Sequence, residues 1–262
     1  MLRRAALVLL LPALTACSGS GPAGPKPAAL PDLQQAREPR VLWTAAVGAA
    51  GAFVFQPALA GDSVVAASRE GTVASFEAAS GRQRWRASLD ARLSGGVGAD
   101  ARTVVVASDE GEVFALEAAD GALRWRARVS SEVLAAPRVH ANLVLVRSAD
   151  SRVFAFGAED GKRRWAYQRA PASLMVRTPT GITPQGDSLY AGFAGGRLVA
   201  LSLANGAVRW EAAVALPKGA TELERVADVV GDPVAIGREV CAAAFQGRIA
   251  CFDAQNGCLL WA

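Results

Sequence analysis

The sequence predicts an all-β chain that folds as a β-propeller, in which similar four-stranded sheets, or blades, follow one another. A fifteen-residue pattern that ends in Trp recurs five times without insertion or deletion, most plainly from Gly111 to Trp125. Each copy combines strand-like alternation with a tight-turn signal, and an apolar strand precedes it. Successive Trp residues lie 40 to 51 residues apart, which is the length of a repeated blade.

The first half of each copy has the two-residue period of a β-strand. Residues 113–117 alternate between side chains that would face opposite sides of a sheet. A polar residue and Gly then follow, and these residue types tolerate the positive φ of a tight hairpin. The turn pairs are Ser80-Gly81, Asp120-Gly121, Asp160-Gly161, Asn205-Gly206 and Asn256-Gly257.

Two further strands complete each predicted blade. An apolar segment precedes every copy, as at residues 64–67 and 104–107, and a short segment often marked by Pro comes before it, as at Pro57, Pro137 and Pro233. The four strands are called A, B, C and D in chain order, and strand D carries the Trp. Since neighbouring strands run antiparallel, the D-to-A and B-to-C connections should emerge on one face of the array.

Six tryptophans occupy the strand D position, and we expect each to wedge between adjacent sheets as a structural docking residue. A buried aromatic side chain contributes up to about 4–6 kcal/mol at about 25 cal/mol per Å². The six are Trp43, Trp85, Trp125, Trp165, Trp210 and Trp261.

The strand at Trp43 has no A, B or C strand before it, and resembles a strand that closes a propeller ring. The fifth copy brings its own Trp261, so the chain has five C strands but six D-like segments. We therefore expect an open arc of about five blades, in a chain truncated at its C-terminus.

The N-terminus has the pattern of a bacterial export signal. Arg3 and Arg4 precede a short apolar core that ends in small residues, so residues 1–16 are predicted to be a lipoprotein signal peptide. The segment Leu14-Thr15-Ala16-Cys17 resembles the lipoprotein cleavage box, which implies lipid attachment at Cys17. The next residue is Ser18 rather than Asp, which by resemblance favours the outer membrane. A plain secretory signal with an incidental Cys is the alternative.

Residues 17–40 are predicted to be the lipidated Cys and a Pro- and Gly-rich tether, and residues 41–262 the partial propeller. Loss of residues 1–16 would leave 26 basic residues against 24 acidic ones. The arginines of strand D stand singly beside acidic residues, which is typical of a solvated mixed-sign surface and not of a nucleic-acid interface.

Chemical motifs are sparse in the sequence. The single His140 lies in a predicted turn, where an exposed turn residue is a simpler interpretation than a base or ligand. There is no Gly-x-Ser-x-Gly elbow, no phosphate-cradling loop and no Cys-x-x-Cys pair, so catalytic residues, metal sites, cofactors and small-molecule substrates are not predicted. Cys241 and Cys251 could face each other across strands B and C as a disulfide, provided the register places them opposite.

Two D-to-A connections are longer than the others. They run from Ala166 to Pro179 and from Glu211 to Pro233, on adjacent blades. Extra length on one face of a repeat array usually marks the binding face. A tolerated insertion without function is the alternative interpretation.

The pattern Ala-x-(Asp/Glu)-x-x-x-Gly-x-x-x-Trp, as in Ala115 to Trp125, resembles the tryptophan-docking motif of pyrroloquinoline-quinone-type propellers. With the lipoprotein signal and tether, the whole chain resembles the BamB family of outer-membrane protein assembly factors. The resemblance implies an eight-bladed propeller and a non-enzymatic lipoprotein on the periplasmic face of the outer membrane. The implied partner is the central subunit of the β-barrel assembly machinery, bound through its periplasmic domains.

Two motifs of that family can be placed on this chain. Its Leu-x-Leu-Arg contact segment matches residues 174–177, with Val176 in place of a Leu, and its acidic Asp-Val-Asp segment matches residues 228–230 with Val230 at the second acidic position. The resemblance thus implies a partner-binding surface at Leu174, Val176, Arg177 and Asp228. An internal pair between Arg177 and Asp228 is the structural alternative.

Two other functions remain open from the sequence. A quinone-dependent dehydrogenase on the same fold would carry a vicinal Cys-Cys pair, which does not occur here, and a calcium site. A generic periplasmic scaffold would keep the fold and change only the protein that the long connections bind.

Overall fold

The structure is a computed structural model that describes residues 39–170 and 172–262. One compact unit spans Leu42–Ala262, and its twenty β-strands form five sheets of four strands each. Within the described residues, no helix is long and apolar enough to cross a bilayer. The predicted signal peptide (1–16), Cys17 and residues 18–38 of the tether lie outside the described residues.

The strand bounds follow the predicted A, B, C and D segments. The first sheet contains β1 (Ala58–Ala60), β2 (Ser63–Ala67), β3 (Thr72–Glu77) and β4 (Gln83–Ser88). The second contains β5 (Gly98–Ala99), β6 (Thr103–Ala107), β7 (Glu112–Glu117) and β8 (Leu123–Arg128). The third contains β9 (Arg138–His140), β10 (Leu143–Ser148), β11 (Arg152–Gly157) and β12 (Arg163–Gln168). The fourth contains β13 (Ile182–Gln185), β14 (Ser188–Phe193), β15 (Arg197–Ser202) and β16 (Val208–Ala213). The fifth contains β17 (Val229–Ile236), β18 (Glu239–Ala244), β19 (Ile249–Asp253) and β20 (Leu259–Trp261).

Every sheet is antiparallel, with its strands in chain order. The A strands of successive sheets contact one another, from β1 to β5 and onward to β17, so the sheets are arranged side by side. Strand β20 of the fifth sheet is exposed along its whole length. The predicted all-β propeller with five sheets in an open arrangement is confirmed.

The second, third and fourth sheets bury both faces against their neighbours, because their inner strands are apolar on both sides. All five residues of β6 are buried, as are all six of β14. The buried side chains form successive clusters between adjacent sheets, and one cluster joins Trp85 to Phe114 and Leu116 of the next sheet. This pattern is typical of strands covered on both faces rather than on one.

The tryptophans link each sheet to the next. The indole Nε1 donates a hydrogen bond to a carbonyl in the C-to-D turn of the following sheet, for example from Trp85 to Ala118 at 2.9 Å. A Cβ on Gly121 of that turn would lie 2.5 Å from the Trp85 ring. The other pairs of donor and acceptor are Trp43 with Ala78, Trp125 with Ala158, Trp165 with Leu203, and Trp210 with Ala254. Trp261 at the end of β20 is 53% exposed.

The strand predicted around Trp43 is not formed. Residues 39–57 contain no strand, and the indole of Trp43 reaches the first sheet by its side chain, in the position that the other tryptophans take on later sheets. A strand needs a hydrogen-bonded neighbour, and none of the described strands pairs with this segment.

A cross-strand disulfide joins Cys241 of β18 to Cys251 of β19. The two residues are directly opposite in the antiparallel register, which is the condition that the sequence left open. The predicted bridge is therefore confirmed, and Cys258 is an exposed free thiol.

Candidate functional site

The D-to-A connections and the B-to-C turns lie together on one face, as antiparallel pairing predicts. The first residue after strand D bonds to the B-to-C turn of the same sheet, from Leu89 N to Gly71 O at 2.9 Å and from Val214 N to Gly196 O at 2.8 Å. We call this side the connection face. Residues 169–181 form connection 3–4 and residues 214–228 form connection 4–5, each named after the sheets that it joins.

The two long connections contact each other. Asp228, the last residue of connection 4–5, is only 5% exposed. Its Oδ2 accepts a hydrogen bond from Val176 N at 2.8 Å, and its Oδ1 accepts one from Gly195 N at 3.1 Å. Both carboxylate oxygens are therefore committed to backbone N–H groups. Asp228 holds the segment of residues 174–177 in place, and its own side chain is buried beneath that segment.

Arg177 extends from the other end of this segment and forms an ion pair with Glu132. Arg177 Nε donates to Glu132 Oε1 at 3.0 Å, and Nη2 donates to Oε2 at 2.7 Å. This carboxylate raises the pKa of Arg177 above its ordinary value. The guanidinium carbon also lies 5.9 Å from the centroid of the Phe53 ring. The internal pair between Arg177 and Asp228, considered as an alternative from the sequence, is not formed.

The apolar side chains of the segment differ in exposure. Leu174 is 45% exposed and Met175 is 36% exposed, whereas Val176 is half-buried. The Met175 sulfur accepts a hydrogen bond from Ser151 Oγ at 3.7 Å, and Ser151 lies in the B-to-C turn of the third sheet. Leu174 thus faces solvent, whereas Val176 packs mainly against the chain itself.

A cavity of about 190 Å³ lies beside the segment on the connection face. Its walls come from the third, fourth and fifth sheets and include Glu132, Arg147, Met175, Arg177, Thr180 and Asp228. Arg147 Nη1 donates to Thr180 O at 2.8 Å. Burial lowers the pKa of Arg147 to about 10, although the carboxylates of Asp228 and Asp232 partly oppose this effect.

Sequence reasoning located the segment of residues 174–177 and Asp228 but missed three side chains of the same region. Glu132 lies in the short connection after β8, Phe53 precedes the first sheet, and Arg147 is the penultimate residue of strand β10. None of these stretches is unusually long, so no length signal marks them. An Arg at the end of an otherwise apolar strand, as in residues 143–147, was the one available signal for Arg147.

Within the described residues, no group of three or more His, Cys, Asp or Glu side chains is arranged to hold a metal ion. His140 lies at the end of β9, and its Nε2 is 3.0 Å from Gly186 O of the neighbouring sheet. The distinctive feature of the connection face is therefore a fixed loop with exposed apolar and charged side chains.

Fold and repeats together define a class: the chain is a tryptophan-docked propeller of the pyrroloquinoline-quinone-like repeat type, with its longest connections gathered on one face. The family model described as Outer membrane protein assembly factor BamB matches residues 33–95 and 69–262. The chain belongs to this family.

Curated relatives carry the same description. The chain is 40% identical over 247 residues to outer membrane protein assembly factor BamB of Burkholderia pseudomallei, which covers 94% of this chain. It is 43% identical over 257 residues to that of Bordetella pertussis, which covers 97% of this chain. The chain spans 65% and 66% of the lengths of these two relatives.

Solved structures agree on the fold. The crystal structure of BamB from Moraxella catarrhalis matches with a TM-score of 0.73 and 28% identity, over 79% of this chain and 63% of that one. A quinohemoprotein alcohol dehydrogenase from Pseudomonas putida matches with a TM-score of 0.61 and 17% identity, over 78% of this chain and 41% of that one. The second match shows only that the two chains share the propeller fold.

Proposed function

We propose that this chain is a non-enzymatic scaffold of the β-barrel assembly machinery at the outer membrane, where it binds the periplasmic domains of the central subunit and so aids insertion of β-barrel proteins. Membership of the BamB family supports a role in the assembly of outer-membrane proteins. The observation that carries the binding role is the segment of residues 174–177, held by the buried Asp228 on the connection face.

The contact surface that we propose has an apolar part and a charged part. Leu174 supplies exposed apolar area, and the neighbouring Arg177 supplies a guanidinium that can contact a partner carboxylate while it keeps its bond to Glu132. Its side chain is 61% exposed, so donor groups remain available to a partner. An apolar side chain beside a planar cation is typical of the small anchors that dominate protein interfaces. Val176 and Asp228 contribute by fixing the segment.

Attachment to the membrane is proposed from the sequence. A lipid on Cys17 and the tether of residues 17–40 would place the propeller on the periplasmic face of the outer membrane. Single lipid chains bind membranes weakly, whereas several chains on one Cys give stable anchoring. Labelling with a radioactive fatty acid, compared between the wild type and Cys17→Ala, tests this part of the proposal.

Co-purification tests the binding role. The full chain is captured through a tag, and the recovery of the central subunit is compared between the wild type and Arg177→Glu. Arg102→Glu is the matched control, because the Arg102 side chain is 70% exposed and lies in the turn between β5 and β6, on the face opposite the connections. We expect Arg177→Glu to lower recovery at least tenfold and the control to leave it unchanged. Equal recovery with all three chains would refute the proposed surface.

An oxidoreductase role has less support. The likeness to the quinohemoprotein alcohol dehydrogenase is at the level of fold, and the cysteines joined in this chain, Cys241 and Cys251, lie on neighbouring strands rather than side by side in sequence. An absorbance scan of the purified chain for bound quinone separates the two functions.

A further inference from the structure

The cavity on the connection face contains an arginine whose hydrogen bonds are incomplete. Arg147 is half-buried at the end of β10, and its guanidinium carbon lies 5.2 Å from the centroid of the Phe193 ring. Nη1 is bonded to Thr180 O. Nε is buried and has no acceptor within the described residues. An arginine offers five N–H donors in a fixed plane, so three donors on Nη1 and Nη2 are left for another group.

The acidic groups around Arg147 are already engaged elsewhere. Glu132 is bonded to Arg177, and both oxygens of Asp228 receive backbone N–H groups. Asp232 is paired with Arg138. No carboxylate of the described residues lies within 4.0 Å of the Arg147 guanidinium nitrogens, so this half-buried cation has lost part of its solvent without gaining an ion pair. Burial of a charge without a partner is costly, and such a group gains most from a ligand that brings the opposite charge.

We infer that this cavity is a receptor for a carboxylate, supplied by an Asp or Glu side chain of the protein that docks on the connection face. Arginine binds a planar carboxylate better than it binds other acceptors, because two parallel N–H···O bonds can form. Leu134, Ala149 and Met175 line part of the cavity with apolar groups, so a bond made there is screened less than one on the open surface. The cavity of about 190 Å³ has room for the end of a side chain but not for a folded element.

This inference takes only the existence of a docking protein from the proposed function, and it names the chemical group that the protein must present. It assigns a role to Arg147 that is separate from that of Arg177. Arg177 is exposed at the rim, where its charge meets solvent and Glu132, whereas Arg147 lies inside the cavity. A charge inside the cavity should govern how long a complex lasts, and one at the rim should govern how fast it forms.

A small probe tests the receptor without any protein partner. The full chain, labelled with nitrogen-15 in arginine, is titrated with N-acetyl-glutamate N-methylamide, and with the glutamine analogue as the uncharged control. We expect the Nε–H signal of Arg147 to shift and saturate with the acidic probe, at least fivefold more than with the neutral one. The signal is assigned to Arg147 by its absence from Arg147→Gln, and the shift should persist in Arg102→Gln, whose side chain lies on the opposite face. Equal shifts with both probes, or no saturable shift with the acidic one, would overturn the inference.

Arg147→Lys covers the case in which Arg147→Gln does not fold. Lysine keeps the charge but lacks the planar fork, so the affinity for the acidic probe should fall at least threefold. An unchanged affinity for the lysine variant would count against a carboxylate held by the guanidinium.

The partner then supplies the second arm of the experiment. Binding of the periplasmic domains of the central subunit is measured for the wild type and for Arg147→Gln, and we expect about tenfold weaker binding with a faster dissociation rate for the variant. If the wild type itself fails to bind these domains, the proposed function is wrong while the probe titration still decides the receptor. If the wild type and the variant bind equally, the inference is wrong and the proposed function stands.

Discussion

The close contact between Trp85 and the turn glycine Gly121 predicts that Gly121→Ala destabilises the fold, by an amount that can be estimated from the structure. Gly121 has a φ of +76°, and a Cβ at this position would lie 2.5 Å from Trp85 Cε3 and 2.9 Å from Cδ2. Gly186 has a φ of +60°, and a Cβ there would meet nothing within 4 Å. Ala at either site incurs the same backbone strain, but only Gly121→Ala also pushes on an indole. The pair therefore separates conformational cost from loss of docking.

The expected difference in the free energy of unfolding is large. Left-handed backbone costs an Ala about 1–2 kcal/mol, partly offset by about 0.4–1 kcal/mol from the restricted unfolded chain. Gly186→Ala should therefore destabilise by at most about 1.5 kcal/mol. Gly121→Ala adds about 1–3 kcal/mol for overpacking and about 0.5–1.5 kcal/mol for the Trp85 N–H···O bond at risk, so it should exceed the control by about 1.5–4.5 kcal/mol.

Urea denaturation followed by tryptophan fluorescence measures the two variants side by side. Stability in repeat arrays is carried by interfaces between neighbours, so hydrogen exchange should speed up mainly in the first and second sheets of Gly121→Ala. Equal shifts of the urea midpoint for the two variants would refute the reasoning, because the indole contact would then contribute nothing beyond the shape of the turn.

Three further predictions concern the connection face and its supports. Asp228→Asn should lower the free energy of unfolding by about 1–3 kcal/mol, because an amide offers one acceptor oxygen to two N–H groups; an unchanged denaturation midpoint would contradict this. Glu132→Arg combined with Arg177→Glu should restore the internal ion pair but not the recovery of the central subunit, and full recovery would mean that Arg177 acts only through that pair. The hydrogen bond from Arg169 lowers the pKa of Glu211 in the folded chain. The ionised Glu211 therefore stabilises the fold above its unfolded pKa of about 4.3, and this stabilisation is lost as the pH falls through its lower folded pKa. The urea midpoint should therefore drop more steeply between about pH 5 and pH 3 for the wild type than for Glu211→Gln.

The regular part of the molecule could be predicted from the sequence because its signals are local. Alternation in residues 113–117 and the Asp120-Gly121 turn describe a hairpin that needs no distant residue to be recognised. The turn glycines were predicted for their positive φ alone. The structure adds a second reason, since the indole of the preceding sheet occupies the space of their missing Cβ.

The candidate site could be predicted only where length or motif marked it. The segment of residues 174–177 stood out because its connection is long, and Asp228 was found through a motif rather than through geometry. Its burial could not be predicted, since it depends on Val176 of connection 3–4 and Gly195 of the B-to-C turn of the fourth sheet converging on one carboxylate. The partnership of Glu132 with Arg177 joins residues 45 positions apart, and no spacing in the sequence encodes it.

In the proposed contact surface, some residues hold the segment of residues 174–177 in place and others are proposed to make the contact. A long connection left loose would lose conformational freedom when a partner binds, at about 1–2 kcal/mol for each residue fixed. Asp228 removes much of that cost in advance, because it ties Val176 to the B-to-C turn of the fourth sheet through Gly195. In the contact surface that we propose, the buried Asp228 is thus a rigid support, and the exposed Leu174 would meet a partner without the loop having to be ordered at that moment.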